Sequence, residues 1–200
     1  MRYAIALLSA VLLLEIPSFA LSKVEVEDLA HHPISEDFPS GGHLDLHIRS
    51  AEIHIVGSDE NKIMVRAGGR RGSDSSDIQA RFEHSEYSGE LRVTGGPSSD
   101  VIITVQIPKK SNLLVRIFAG DVEVEGIRGS KDIELGAGNL AIDVGDAADY
   151  SQVKASVTTG AFEAEPFGES RGGMFRSFEK SGSGQYKLFA HVGAGDLTLK

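Results

Sequence analysis

The stretch Val115-Arg116-Ile117-Phe118-Ala119-Gly120-Asp121-Val122-Glu123-Val124 decides how this chain folds. Apolar and polar residues alternate before the glycine, and they alternate again after it in shifted phase. Period two is the signature of a strand with one buried face. The step from Ile117 to Val122 is odd, so a straight strand would turn its apolar side outward beyond the glycine. The chain must bend there, and glycine tolerates the backbone angles and close approach that a corner demands.

The same pattern recurs at 133–142, 155–164 and 190–199, centred on Gly138, Gly160 and Gly195. Counted from each glycine, positions −7, −5, −3, +2 and +4 are apolar in nineteen of twenty cells, where a 40% hydrophobic content would give eight. The exception is Lys131. The four glycines stand 18, 22 and 35 residues apart. Periods near twenty with short strands describe coils of a β-solenoid, each burying its face against the next. Leu44, Leu46, Ile48, Ile53 and Ile55 fill the same five cells upstream, with Ala51 in the glycine position. An antiparallel meander or sandwich of short strands with glycine turns competes on the same spacing.

Further strands are expected at 62–66, 78–84, 90–94 and 101–107, where Pro108 ends the run because it cannot donate to a ladder. A Gly/Ser-rich surface turn fills 68–77 and carries Arg70-Arg71. Sustained helical spacing is absent from the sequence. The fold class is therefore all-β: a β-solenoid-like stack of short strands with a more irregular antiparallel N-terminal part.

Residues 1–20 read as a secretory signal peptide. Arg2 opens it, an apolar run covers 4–14, and Ser18-Phe19-Ala20 supplies a small-x-small cleavage site. The apolar run is too short to span a bilayer as a helix. Residues 21–40 are expected to be a linker, and 41–200 a single domain. The chain has no cysteine, which removes disulfides and the thiol a lipid anchor needs. The 180 residues left after cleavage suffice for one core. A net charge of −9 disfavours nucleic acid and anionic membrane surfaces as partners, so membrane association is expected only through a partner.

Candidate sites are few. His43, Asp45 and His47 share one face of their strand, and His54 follows on the next, a residue set able to ligate zinc or copper. The bland reading, a solvated polar face, is preferred, and no metal or cofactor is assigned. Asp121, Asn139 and Asp196 directly follow their glycines, whereas calcium-binding β-rolls place the aspartate two residues on and repeat every nine. These side chains are expected to satisfy backbone groups at the corners. The insertion at 166–185 mixes Phe167, Arg171, Phe175, Arg176, Phe178 and Lys180, either a binding loop or a flap shielding the end of the stack. Glu123, Glu125, Glu134, Asp143 and Glu163 fall on outward cells, and the short motifs of hydrolases, zinc proteases and nucleotide-binding loops are missing. An enzyme is not expected.

The segments Ile107-Pro108, 113–125, 133–143 and 153–163 resemble the bacterial putative-adhesin, or toast-rack, family. There a strand ending in Val/Ile-Pro leads into coils of the form apolar-x-x-Gly-x-apolar-x-apolar. Phe38-Pro39-Ser40-Gly41-Gly42-His43-Leu44-Asp45-Leu46 is similar to its opening strand, and Ile53-His54-Ile55-Val56-Gly57-Ser58-Asp59 to its turn. The resemblance covers 38–200 and implies an extracytoplasmic β-solenoid-like module, periplasmic or extracellular, with adhesion inferred and no catalytic residues. A module binding an envelope protein or glycan, through the repeat faces or the 166–185 insertion, is the first expectation. An accessory or sensor component of an envelope-stress system is the alternative, and a polysaccharide-active β-helix enzyme ranks below both. The signal reading predicts that exported protein begins at Leu21, which N-terminal sequencing checks; an exported product still beginning at Met1 would refute it.

Overall fold

The computed structural model describes residues 21–69, 77–95 and 101–200, with the backbone alone of residues 170–173. The chain is all-β. Sixteen strands form one sheet: β1 (Ser22–Val26), β2 (Ile34–Asp37), β3 (His43–Ser50), β4 (Glu52–Ser58), β5 (Lys62–Gly69), β6 (Ile78–His84), β7 (Ser88–Gly95), β8 (Val101–Pro108), β9 (Asn112–Ala119), β10 (Val122–Glu125), β11 (Lys131–Ala137), β12 (Leu140–Ile142), β13 (Tyr150–Ala164), β14 (Glu169–Ser181), β15 (Tyr186–Ala194) and β16 (Leu197–Leu199). The hydrogen-bonded path runs β1-β6-β7-β3-β9-β11-β15-β13-β16-β12-β10-β4-β8-β5-β2, and β14 lies beside β13.

The path doubles back within β13, which pairs with β15 as far as Thr159 and with β16 from Phe162. The two halves of this nearly closed sheet enclose one continuous apolar core. Pairing is parallel from β7 to β13 in one half and from β8 to β13 in the other. Antiparallel pairing is confined to the ends, where β6, β1, β5, β2 and β14 lie. The meander reading fails here, because its strands would alternate in direction throughout.

The four corner glycines form one row, headed by Ala51. Gly120, Gly138, Gly195 and Gly160 have φ of +136°, +127°, +134° and +141°. A Cβ on them would lie 1.8 to 1.9 Å from the carbonyl oxygens of Ala51, Gly120, Gly138 and Gly195 respectively. Ala51 itself has no positive φ, which is why alanine serves there. A second ladder runs alongside. Asp121 Oδ1 accepts from the Asn139 backbone N–H at 3.1 Å, Asn139 Oδ1 from that of Asp196 at 3.3 Å, and Asp196 Oδ1 from that of Ala161 at 2.8 Å.

This row departs from chain order. The coils were expected to succeed one another, yet β15 and β16 slot between the β11/β12 layer and β13. The cause is β14, which returns antiparallel along the outer side of β13 and takes the position the next coil would have filled. The segment 21–40, expected to be a linker, pairs with the sheet at both of its strands. It contributes β1 on β6 and β2 on β5, and it buries Leu29, Ile34 and Phe38. These edge strands supply ladder partners at two otherwise open ends of the sheet. Gly68 and Gly69, expected in a surface turn, belong to β5; residues 70–76, with Arg70-Arg71, lie outside the described residues.

Lys131, the one polar cell of the repeat, is 1% exposed. Its Nζ donates to the Tyr150 hydroxyl at 2.6 Å, and that hydroxyl donates to the Val144 carbonyl at 3.1 Å. Burial pushes the Lys131 ammonium down to about 8, against the pull of Asp143 and Asp149. Between there and its ordinary value of 10.5 the unfolded chain holds more protons than the folded one, so this group makes stability rise with pH across that window. Below it the full cost of the buried charge is present. Tyr150, pushed up chiefly by burial, acts oppositely above its ordinary value of 10.0.

Two outcomes are expected. Gly138→Ala should cost ~3 kcal/mol in urea unfolding, because it adds a backbone clash to backbone strain. Gly145→Ala, with φ +69° but nothing within 4 Å of its Cβ, should cost only ~1 kcal/mol. Equal losses would remove the corner row as a constraint. Wild type should gain ~2 kcal/mol relative to Lys131→Met between pH 7.5 and 9.5, measured by the same unfolding at both values.

Candidate functional site

The half of the sheet built from β6, β7, β3, β9 and β11 presents an outer face with an unusual charge order. Cross-strand register places Arg81 opposite Arg92, Arg92 opposite His47, and His47 opposite Arg116. Four basic side chains thus stand on four adjacent strands in a single row. Two residues away along the strands, Glu83 faces Glu90 and Glu90 faces Asp45; beyond Leu114 the row resumes at Asp132. Like charges directly opposite one another are destabilising. Pairing between the rows offsets that cost.

Arg81 bonds to Glu83, and Arg92 to Glu90. His47 Nε2 lies 2.9 Å from Asp45 Oδ1. Arg116 reaches Asp132 Oδ1 at 3.0 Å and Glu134 Oε2 at 3.1 Å. The Glu83 hydrogen bond is the main reason that the Arg81 guanidinium holds its proton more tightly than usual. Such pairs on an open surface add little stability each. Their contribution is positional, since they fix the arginine heads in a line.

Beside the row lies an open depression of about 460 Å³, lined by Arg49, Arg92, Arg116, His47, Glu134, Phe118 and Gly136 among others. Three arginines and a histidine there face one glutamate, although the chain as a whole carries −9. Phe118 is 76% exposed, a large apolar side chain left in solvent. The neighbouring strands bring Gly136 and then Gly193 level with it, so the floor next to the ring carries no side chain. A second depression of about 350 Å³ continues past Arg92 to Arg81 and Gln79.

The expected site residues fall differently. His43, Asp45 and His47 do share the outer face of β3, but His54 sits on β4 in the opposite half of the sheet, paired to Glu52 at 3.0 Å. The corner at Ala51 turns the two outer faces away from each other, so the four cannot converge. Among the described residues no group of three or more His, Asp or Glu side chains is placed to hold a metal ion. Asp121, Asn139 and Asp196 each accept a backbone N–H on Oδ1, as above.

The 166–185 insertion is largely a strand rather than a loop. Its β14 pairs along β13 from Glu169 to Ser181. Phe167 and Phe178 pack inward, with ring centroids 5.5 Å apart and Phe178 6.0 Å from Phe162. Lys180 Nζ sits 5.1 Å from the Phe167 centroid. Phe175 points into solvent at 77% exposure with φ +53°, and Arg176 lies on the exposed edge strand. The Arg171 side chain lies outside the described residues. The five described side chains therefore divide between core and surface.

No family model matches the chain, and no curated protein matches it by sequence. Among solved structures, a putative cell adhesion protein from Clostridium sporogenes ATCC 15579 superposes with a TM-score of 0.50 at 14% identity. The match covers 84% of this chain and 99% of that one. At such identity the likeness is one of fold.

Proposed function

We propose that this chain is an exported, non-catalytic module of the cell envelope or cell surface that binds its partner through the outer face bearing the paired charge rows. The observation that carries the reading is the Arg81–Arg92–His47–Arg116 row, where four basic groups are lined up against the electrostatic preference of a sheet. A stable fold has no need of that order; a docking surface does. The signal-like start at 1–20 supports export, and the like fold of a putative cell adhesion protein supports an adhesin-type role. Parallel layers turning at one corner row support the finer description as a toast-rack type of β-solenoid.

Two observations support the non-catalytic part of the proposal. The carboxylates of this face are held in ion pairs, and its depression is open to solvent rather than closed around a reacting group. Purified protein lacking residues 1–20 should co-sediment saturably with a bacterial envelope preparation and release no soluble fragments from it. Arg92→Glu combined with Arg116→Glu should abolish sedimentation. Unchanged sedimentation of that variant, or steady release of envelope fragments, would overturn the reading.

A further inference from the structure

We propose that the basic row is a track for a linear polyuronate, a glycan bearing one carboxylate on each sugar, which lies across the strands from β6 towards β11. This rests on the envelope-binding reading above and names its ligand class. Spacing supplies the first argument. The row offers one basic head per strand at the sheet repeat of ~4.8 Å, close to the length of one sugar unit in an extended chain. A polymer with a carboxylate on every unit can therefore present acid groups to Arg81, Arg92 and Arg116, passing over the His47 imidazole between the last two.

Donor capacity supplies the second. A guanidinium carries five N–H groups in a fixed fork. Arg116 spends Nη1 and Nε on its carboxylate partners, and Arg81 spends Nε and Nη2. Each fork keeps N–H groups for a ligand oxygen. Arg49, next to Phe118 in register, has no carboxylate partner among the described residues.

Hydroxyl groups distinguish a sugar acid from other polyanions. The row of Glu90 and Asp45 runs parallel to the cations, within reach of the same ligand. Carboxylates repel phosphates, but they accept hydrogen bonds from sugar hydroxyls. A DNA backbone has no hydroxyls to give them. Phe118 completes the site. Its exposed face beside the bare backbone of Gly136 and Gly193 is a platform on which the apolar side of a pyranose ring lies flat. A protein partner would instead call for a cluster of exposed apolar anchors; among the described residues of this face Phe118 is the one large apolar side chain that stands mostly in solvent, with Leu114 and Phe189 half-buried.

Isothermal titration of the chain lacking residues 1–20 with a galacturonate hexamer tests the proposal. Binding is expected, weakening as salt rises. A neutral glucose hexamer should not bind. Phe118→Ala and Arg49→Ala, both at exposed positions, should each weaken hexuronate binding at least about fivefold with unchanged thermal unfolding. Should either variant unfold, the other decides. Absence of hexuronate binding, equal binding of the neutral sugar, unchanged affinity in the folded variants, or tighter binding of an oligothymidylate would each overturn the polyuronate assignment. Envelope sedimentation that persists while hexuronate binding fails overturns only this ligand and leaves the envelope-module reading standing.

Discussion

Everything in this fold depends on the approach of one layer's backbone to the next at the corner. The carbonyl oxygen of each corner residue occupies the space where the next layer's Cβ would stand. That contact forces glycine, fixes a positive φ, and locks successive layers at the spacing of hydrogen-bonded strands. Because the layers cannot slip, side chains at equal distance from the corner line up across the sheet. Inward rows such as Leu46, Val115, Ile133, Ala190 and Ala155 fuse into a core. Outward rows, by the same geometry, become ladders of whatever chemistry the sequence places there. The charge rows are thus a product of the corner, read out on the opposite side of the sheet.

The two outer faces use that geometry differently. One carries the arginine row, its paired acids and the exposed Phe118. On the other, Glu123 faces His54, and Lys200 Nζ reaches Glu123 Oε1 at 2.8 Å, a bond that holds the Glu123 carboxyl below its usual range. Glu125, Asp143 and Glu163 add acid there.

Much of the architecture was legible from period two and one phase shift. The five apolar cells and their glycine located β9 to β13, β15 and β16, and the copy at Ala51 proved to be the layer next to Gly120. Three things escaped. The β7/β8 layer stacks beside β3/β4, but residues 88–108 lack the glycine-centred pattern, so they read only as separate strands. The segment at 169–181 is rich in glycine, serine and charge, which suggests a loop; pairing along β13 and the packing of Phe178 make it a strand. The basic row was invisible because its members come from positions 81, 92, 47 and 116, in that spatial order. Each is an ordinary outward residue on its own strand, and only the register brings them together.

The slot that β15 and β16 occupy has a kinetic meaning. Both of its walls, the β11/β12 layer and β13, precede the filler in the chain, so until residues 186–199 arrive each wall exposes an unpaired edge towards the gap. These late strands act as a keystone: the arch on either side cannot settle without them, and a nascent chain stays open until residues 186–199 have emerged.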